Sequence, residues 1–189
     1  MSNYITSNFS NLIFSCSVPS QWHMEHRVTD HCVVFVRQGK LLISDKGRTE
    51  EIPAGSCVFL KKDCSVRLVK ASFAGKNYEG LNIRLPQNIL EDYFQRHLKN
   101  NEFSQDFTGL SNCFMRLNRT LCLQGLLSSI ILFVEEGQDP GQKMTELKVE
   151  ELILDLLQTN IRFFPTLFDF YRDWNVDLKA VSYTHLTLP

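Results

Sequence analysis

The sequence predicts an α+β fold, a small β-barrel followed by an antiparallel helical hairpin. Three observations carry this expectation. Residues 11–85 break into short segments rich in β-branched and aromatic residues, separated by Gly- and Pro-containing turns. Two later runs, 120–136 and 143–160, repeat their apolar residues with the period of an α-helix. Between those runs, Gly137 and Asp139-Pro140-Gly141 supply a helix stop and a tight turn.

Taken in order, residues 1–10 are expected to be a disordered or loosely held N-terminus, and 11–85 the barrel. His31 to Arg37 reads as a strand, because HCVVFVR is β-branched and aromatic. Gln38-Gly39 turns the chain, and Lys40 to Ser44 returns. Asp45-Lys46-Gly47 makes a second turn with Gly47 at the positive-φ position. Arg48 to Ile52 follows, and Pro53-Ala54-Gly55 is a sharp corner. Ser56 to Leu60, Ser65 to Lys70 and Tyr78 to Leu85 complete the strands. Val66 and Leu68 are expected to point inward, Ser65 and Arg67 outward. Leu81, Ile83 and Leu85 alternate with Gly80, Asn82 and Arg84, which predicts one buried face.

The helical region is expected over 86–174. Pro86 opens a helix-like stretch to Lys99, and residues 100–118 are irregular. Thr120 to Glu136 is the first arm of the hairpin. The second starts between Gln142 and Glu146, ends near Asn160, and passes into an apolar link, Phe163 to Trp174. Residues 175–189 read as a truncated linker, with a tail from Val181 to Pro189 that fits no helix.

Composition bounds the function. A chain of 189 residues holds one domain with a real core. Its 43% hydrophobic and 22% charged residues are those of an ordinary globular protein. A net charge of -1 leaves no large basic surface for nucleic acid. MSNYITSNFSN has neither the basic nor the apolar region of a secretory signal. The most apolar run, Leu126 to Val134, is interrupted by Ser128 and Ser129 and is too short to span a bilayer. A cytoplasmic location with no membrane partner is expected. The six cysteines, Cys16, Cys32, Cys57, Cys64, Cys113 and Cys122, form no CxxC pair. In a reducing compartment they read as small buried hydrophobes.

Motifs for covalent chemistry are missing. There is no GxSxG, no Walker loop and no GxGxxG. His23, His26 and His31 lie close together, but a barrel metal site needs an HxH pair on one strand face. His23 and His26 are three apart and fall on opposite faces, and no histidine follows in the β-region. They read as polar residues on a loop and strand end. Glu50 and Glu51 are adjacent, so they point apart on a strand as solvated surface. Trp22 either lines a pocket or packs. No catalytic, metal-binding or cofactor-binding residue is assigned, no cofactor is expected, and the effector pocket is unassigned.

The hairpin carries the strongest functional signal. On the second helix Lys148, Glu151, Asp155, Gln158 and Thr159 make a narrow polar stripe. Val149, Leu152, Ile153, Leu156 and Leu157 form one apolar face, and Leu147, Leu154 and Ile161 continue it round the side. This arc is about twice the 100° that a surface helix needs. On the first helix Leu123, Leu126, Leu127, Ile130, Ile131 and Val134 face inward, while Leu132 and Phe133 widen the arc. One reading covers both flanks within the monomer, by the sheet and residues 163–174. The other is a homodimer seam built from Leu147, Leu154, Ile161, Leu132 and Phe133.

The segments VRQGKLLIS and IPAGSCVFL, followed by a helical hairpin, resemble the N-terminal domain of AraC-family transcriptional regulators. Gly39-Lys40-Leu41 and the Pro53-x-Gly55 corner carry the cupin-like part of the resemblance. ELKVEELILDLLQTNIRFFPTLFDF, Glu146 to Phe170, is similar to the hairpin and link of the branch that includes the type III secretion activator. The resemblance spans about residues 10 to 180. It implies a cupin-like β-barrel and a regulatory, effector-sensing and dimerising role rather than an enzyme. The partners it implies are a second copy through the hairpin and a small-molecule effector or a regulatory protein. Family members continue into two helix-turn-helix units. Here those units are expected to be absent, so DNA would be reached only through a C-terminal domain this chain does not contain. The alternatives are a metal-dependent cupin enzyme and a purely structural dimerisation module.

Overall fold

The computed structural model describes residues 4–18, 21–98 and 108–170. Ten strands and four helices follow one another. They are β1 (Tyr4–Phe9), β2 (Ile13–Val18), β3 (Trp22–Arg27), β4 (His31–Gln38), β5 (Lys40–Asp45), β6 (Arg48–Pro53), β7 (Ser56–Leu60), β8 (Ser65–Ala71), β9 (Tyr78–Leu85), α1 (Gln87–His97), β10 (Phe114–Arg116), α2 (Leu121–Glu135), α3 (Gln142–Thr159) and α4 (Phe163–Leu167). The expected loose N-terminus is corrected over residues 4–9, which form β1 and pair antiparallel with β2. Residues 171–189, with the end of the apolar link and the tail, lie outside the described residues.

The strands form two antiparallel sheets, one of six in the order β1-β2-β9-β4-β7-β10 and one of four in the order β3-β8-β5-β6. Among the described residues no hydrogen-bonded strand pair joins them, so the expected barrel is an open sandwich. On one side β6 lies against β4 and β7.

The pleat explains the sequence of β4. Cys32, Val34 and Val36 enter the core between the sheets, while Val33 enters a second core beneath the helices and Phe35 packs against it. A strand covered on both faces reads as a continuous apolar run. β7 is built the same way, with Val58 and Leu60 toward the other sheet and Cys57 and Phe59 toward the helices. In β9 the expected single buried face is half the account. Leu81, Ile83 and Leu85 meet the helices, and Tyr78 enters the core between the sheets. Val66 and Leu68 point inward and Ser65 and Arg67 outward, as the alternation required.

The crossing from β4 into β5 depends on Gly39. Its φ is +71°, and a Cβ there would lie 2.6 Å from the Ala71 carbonyl oxygen and 2.8 Å from the Tyr78 Cα. Backbone is packed against backbone where the chain changes sheets.

Helix ends follow their local chemistry. The Leu123 N–H donates to the Thr120 hydroxyl oxygen (2.9 Å), capping α2. The Thr120 hydroxyl in turn donates to the Asp155 carboxylate on α3 (2.8 Å). Asp155, expected on the solvent stripe, is therefore buried and partnered. Gly137 (φ 62°) stops α2 as expected. The Gln138 N–H reaches the Phe133 carbonyl (3.0 Å) and the Gly137 N–H that of Val134 (3.3 Å). β10 lies within the stretch read as irregular, because three residues pairing with β7 are too few to show a pattern. Phe163, Leu167, Phe168 and Phe170 of the apolar link fill the core beneath the helices.

His31 corrects another expectation, since it is a core residue and not a polar strand end. Its ring stacks on Phe59 (5.5 Å between centroids), which meets Phe163 edge-on (5.0 Å). The Lys62 N–H donates to its Nδ1 (3.1 Å), and its buried Nε2 meets no hydrogen-bond partner among the described residues. Burial first, and the Lys62 charge second, push its pKa down to about 4, against the opposing pull of Asp169 and the Thr166 backbone.

Three outcomes are expected. Gly39→Ala lowers the free energy of urea unfolding by about 2 kcal/mol or more. Gly47→Ala, with φ +87° but open space around it, costs about 1 kcal/mol. His31 binds protons more weakly folded than unfolded, so its contribution is complete above pH ~6.5 and is lost as pH falls through about 4. The loss is on the order of 3 kcal/mol, and the slope of stability against pH between those values flattens in His31→Gln.

Candidate functional site

Two regions are built beyond what the core requires. The first is the outer side of the hairpin. α2 carries no charged residue from Leu121 to Val134. Leu123, Leu126, Leu127 and Ile130 are buried, as expected, and Ile131 and Val134 are half-buried against the same core. Its outward line is Leu121, Gly125, Ser128 and Leu132, all exposed, where a surface helix normally carries charge. On α3 Val149, Leu152, Ile153 and Leu156 are buried, whereas Leu157 is half-buried. Leu132 is 60% exposed, Leu147 51%, Leu154 48% and Ile161 55%. Phe133 is half-buried, packing partly against the monomer's core.

Two residues of this side were not anticipated, Leu121 and Met144. Both follow from helical spacing. Leu121 lies three turns before Leu132, and Met144 one turn before Leu147. Met144, Leu147 and Leu154 share one side of α3 and drift slowly, as a heptad stripe does, and Ile161 follows just past the helix end, after the extended Asn160 cap.

The second region is the open side of the sandwich. Where β4, β5, β6 and β7 face one another, Val34, Val36, Leu41, Ile43, Ile52, Val58 and Leu60 are fully buried. Toward β2 and β3 the residues of the same inner faces, Phe14, Cys16, Trp22, Met24, His26 and Lys70, are only half-buried. Trp22 thus looks into the space between the sheets. Lys70 Nζ lies 5.2 Å from the centre of the Trp22 ring, 5.4 Å from that of Tyr78 and 3.3 Å from Cys16 Sγ. Among the described residues no carboxylate pairs with it. The Tyr78 hydroxyl and Asn82 Oδ1 are buried without a hydrogen-bond partner among the described residues. Gly80 leaves room for that hydroxyl, since a Cβ there would stand 2.6 Å from it. Burial raises the Tyr78 phenol far above the usual tyrosine range. Burial, and then the Lys70 charge, lowers the pKa of His26.

The remaining candidates are ordinary surface. His23 is exposed on the outer face of β3, opposite His26. Glu50 pairs with Arg48 (2.9 Å) and Glu51 with Lys40 (2.8 Å), each separately. A cleft of about 500 Å³ beside the β5–β6 turn is lined by Glu25, Asp45, Lys46, Thr49 and Arg67, and Glu25 and Arg67 pair across it (2.9 Å). Cys32, Cys57 and Cys113 are buried, Cys16 and Cys64 half-buried, and Cys122 exposed on α2, which corrects the reading of all six as buried. Among the described residues no group of three or more His, Cys, Asp or Glu side chains is placed to hold a metal ion. Among the same residues no helix is long and apolar enough to cross a membrane.

Replacing Lys70 by Met removes one of the two causes that hold His26 down. Its pKa, followed by NMR titration, is expected to rise in Lys70→Met but to stay below 6.5, because burial remains.

Comparison with known proteins places this geometry. Residues 31–163 match the family described as ExsA N-terminal regulatory domain. No curated protein matches the chain. Among solved structures, an apo ToxT variant from Vibrio cholerae aligns at 12% identity over 86% of this chain and 60% of that one, with a TM-score of 0.59. Wild-type ToxT from Vibrio cholerae with a bound unsaturated fatty acid aligns at 13% identity over 78% of this chain and 53% of that one, TM-score 0.54. Vibrio cholerae ToxT bound to (E)-4-(8-methylnaphthalen-1-yl)but-3-enoic acid aligns at 13% identity over 78% of this chain and 55% of that one, TM-score 0.53. At these identities the likeness speaks for the fold alone. This chain spans little more than half the length of those ToxT chains.

Proposed function

Since the chain belongs to the ExsA N-terminal regulatory domain family, and so to the regulatory domains of AraC-type transcriptional regulators, we propose that it works as a homodimer whose seam is the outer side of α2 and α3 and whose stability responds to an effector. The observation that carries this reading is the uncharged outer line of α2, together with Met144, Leu147 and Leu154 on α3 and Ile161 just beyond its end. Exposed apolar surface of this extent is rare on a protein that stays single. Burying one such leucine stabilises by about 2 kcal/mol, and a two-fold axis makes every contact twice.

Dimerisation has a use in a regulator with DNA-reading units, because two such units must be held at a fixed half-site spacing. An effector changes that arrangement only through its different affinity for two states of the domain. The small acids bound to ToxT support a small molecule in that role. No residue in this mechanism makes or breaks a covalent bond. A metal-dependent enzyme would need converging ligands, and His23 and His26 on opposite faces of β3 do not supply them.

Sedimentation of the wild type is expected to report two protomers per particle. Leu154→Glu sets two like charges across the axis and is expected to weaken association about a hundredfold or more, with an unchanged circular dichroism spectrum. Single wild-type protomers at high concentration, or an unchanged mass for Leu154→Glu, overturn the seam.

A further inference from the structure

We propose that Cys64 and Cys113 form a dithiol site for oxidative modification, closing to a disulfide on reaction with a peroxide and so tying the two sheets together. This goes beyond the regulatory reading above and is independent of the seam.

The placement of the two thiols starts the argument. The Cys113 thiol is in hydrogen-bonding contact with the Cys64 thiol and with the Asp45 carboxylate. Hydrogen bonds hold both backbones in place. The Lys61 N–H donates to the Cys113 carbonyl (2.9 Å), and the Val28 N–H to the Cys64 carbonyl (2.8 Å). The Asp63 N–H donates to the Val28 carbonyl (2.8 Å), and Asp63, with a φ of 61°, bends the chain between Lys61 and Cys64. Cys113 belongs to the core between the sheets, and Cys64 packs against it. A single thiol there would be a small hydrophobe, whereas two in contact can react with each other.

The surroundings assign the two roles. Cys64 is half-buried. Asp45 and the two residues after Cys64, Ser65 and Val66, line the cleft of about 500 Å³ beside the β5–β6 turn. A small peroxide entering that cleft meets Cys64 first. Cys113 is buried, and burial first, then Asp45 and Cys64, push its thiol up to about 12. It stays protonated until a base takes the proton, and the Asp45 carboxylate is in contact to do so. The deprotonated Cys64 sulfur attacks one peroxide oxygen. The O–O bond breaks, Cys64 becomes a sulfenic acid, and the leaving hydroxide combines with the Cys64 proton as water. The Cys113 sulfur then attacks the Cys64 sulfur while Asp45 takes its proton. The S–S bond forms, the S–O bond breaks, and the departing hydroxide collects that proton as a second water. Two thiols and one hydrogen peroxide thus give one disulfide and two waters, and the electron pair lost by the sulfurs reduces the peroxide.

The disulfide would join parts of the fold that are otherwise only packed. Cys64 leads into β8 of the four-stranded sheet and Cys113 into β10 of the six-stranded one. Among the described residues no hydrogen-bonded strand pair connects these sheets. Leu110, just before Cys113, donates its N–H to the Thr166 hydroxyl oxygen beside it in α4 (2.8 Å), and its carbonyl accepts from Lys61 Nζ (2.8 Å). Oxidation therefore fixes the segment that meets α4.

The test uses the 189-residue chain carrying Cys122→Ser, because Cys122 is exposed on α2 and can link two copies. It is treated with about one equivalent of hydrogen peroxide. Mass spectrometry of an unreduced digest is expected to find the Cys64 peptide joined to the Cys113 peptide, lighter by the two hydrogens lost. The Tm is expected to rise by about 5 °C or more, because the bond restricts the unfolded chain, and to return on addition of dithiothreitol. Cys64→Ser and Cys113→Ser are each expected to abolish the rise, and Cys16→Ser to keep it. Melts before treatment identify any variant that fails to fold, and the digest of the treated parent then decides alone. Cys64 recovered only as sulfinic or sulfonic acid overturns the proposal, as do two thiols still free to alkylate or a Cys113 disulfide to another partner. A Cys64–Cys113 disulfide that leaves Tm unchanged overturns the tie between the sheets.

Discussion

The six-stranded sheet must be covered on both faces, and the rest of the molecule is arranged to meet that need. β4, β7 and β9 carry apolar side chains on both sides of the pleat. A sheet of this kind exposed on either face would leave large aliphatic and aromatic residues in water. One cover is the four-stranded sheet. The other is the helical layer, with the aromatic cluster of Phe163, Phe168 and Phe170 wedged beneath it. His31 sits at that second junction as a neutral ring among Phe59 and Phe163.

The two covers differ in how completely they close. The helical layer seals its face, since Val33, Phe59, Ile83, Val149, Leu152 and Ile153 have no exposed surface. The smaller sheet has four strands against six, and it seals its face most completely where β5 and β6 meet β4 and β7. The Gly39 crossing holds that part shut by packing β4–β5 backbone on Ala71 and Tyr78. Toward β2 and β3 the inner faces are covered less completely, with Phe14, Cys16, Trp22, Met24, His26 and Lys70 half-buried beside the buried Val18, Val66, Leu68 and Tyr78.

The hairpin has a different surplus. α2 and α3 each spend one face on the sheet and on each other, fixed in register by the Thr120–Asp155 bond. Each retains a second apolar side that no described element covers. Polar residues are interspersed along it, Ser128 on α2 and the Lys148–Glu151 pair on α3.

Much of this was legible in the chain itself. Strand runs, the turns at Gly39, Gly47 and Gly55, the stop at Gly137 and the inner faces of both helices follow from local sterics and periodicity, which act between near neighbours. The exposed leucines of the hairpin were legible for the same reason, as an apolar arc too wide for one partner. Tertiary structure alone decided the rest. Asp155 is buried and Phe133 half-buried because residues distant in sequence, Thr120 and the core beneath the helices, lie against them. β10 and β1 exist because a neighbouring strand offers hydrogen bonds, not because their own residues demand it. The gathering of Lys70, Trp22, Tyr78, Cys16 and Asn82 draws on four strands of two sheets, and a spacing rule within one strand carries no information about which strands face each other across a core.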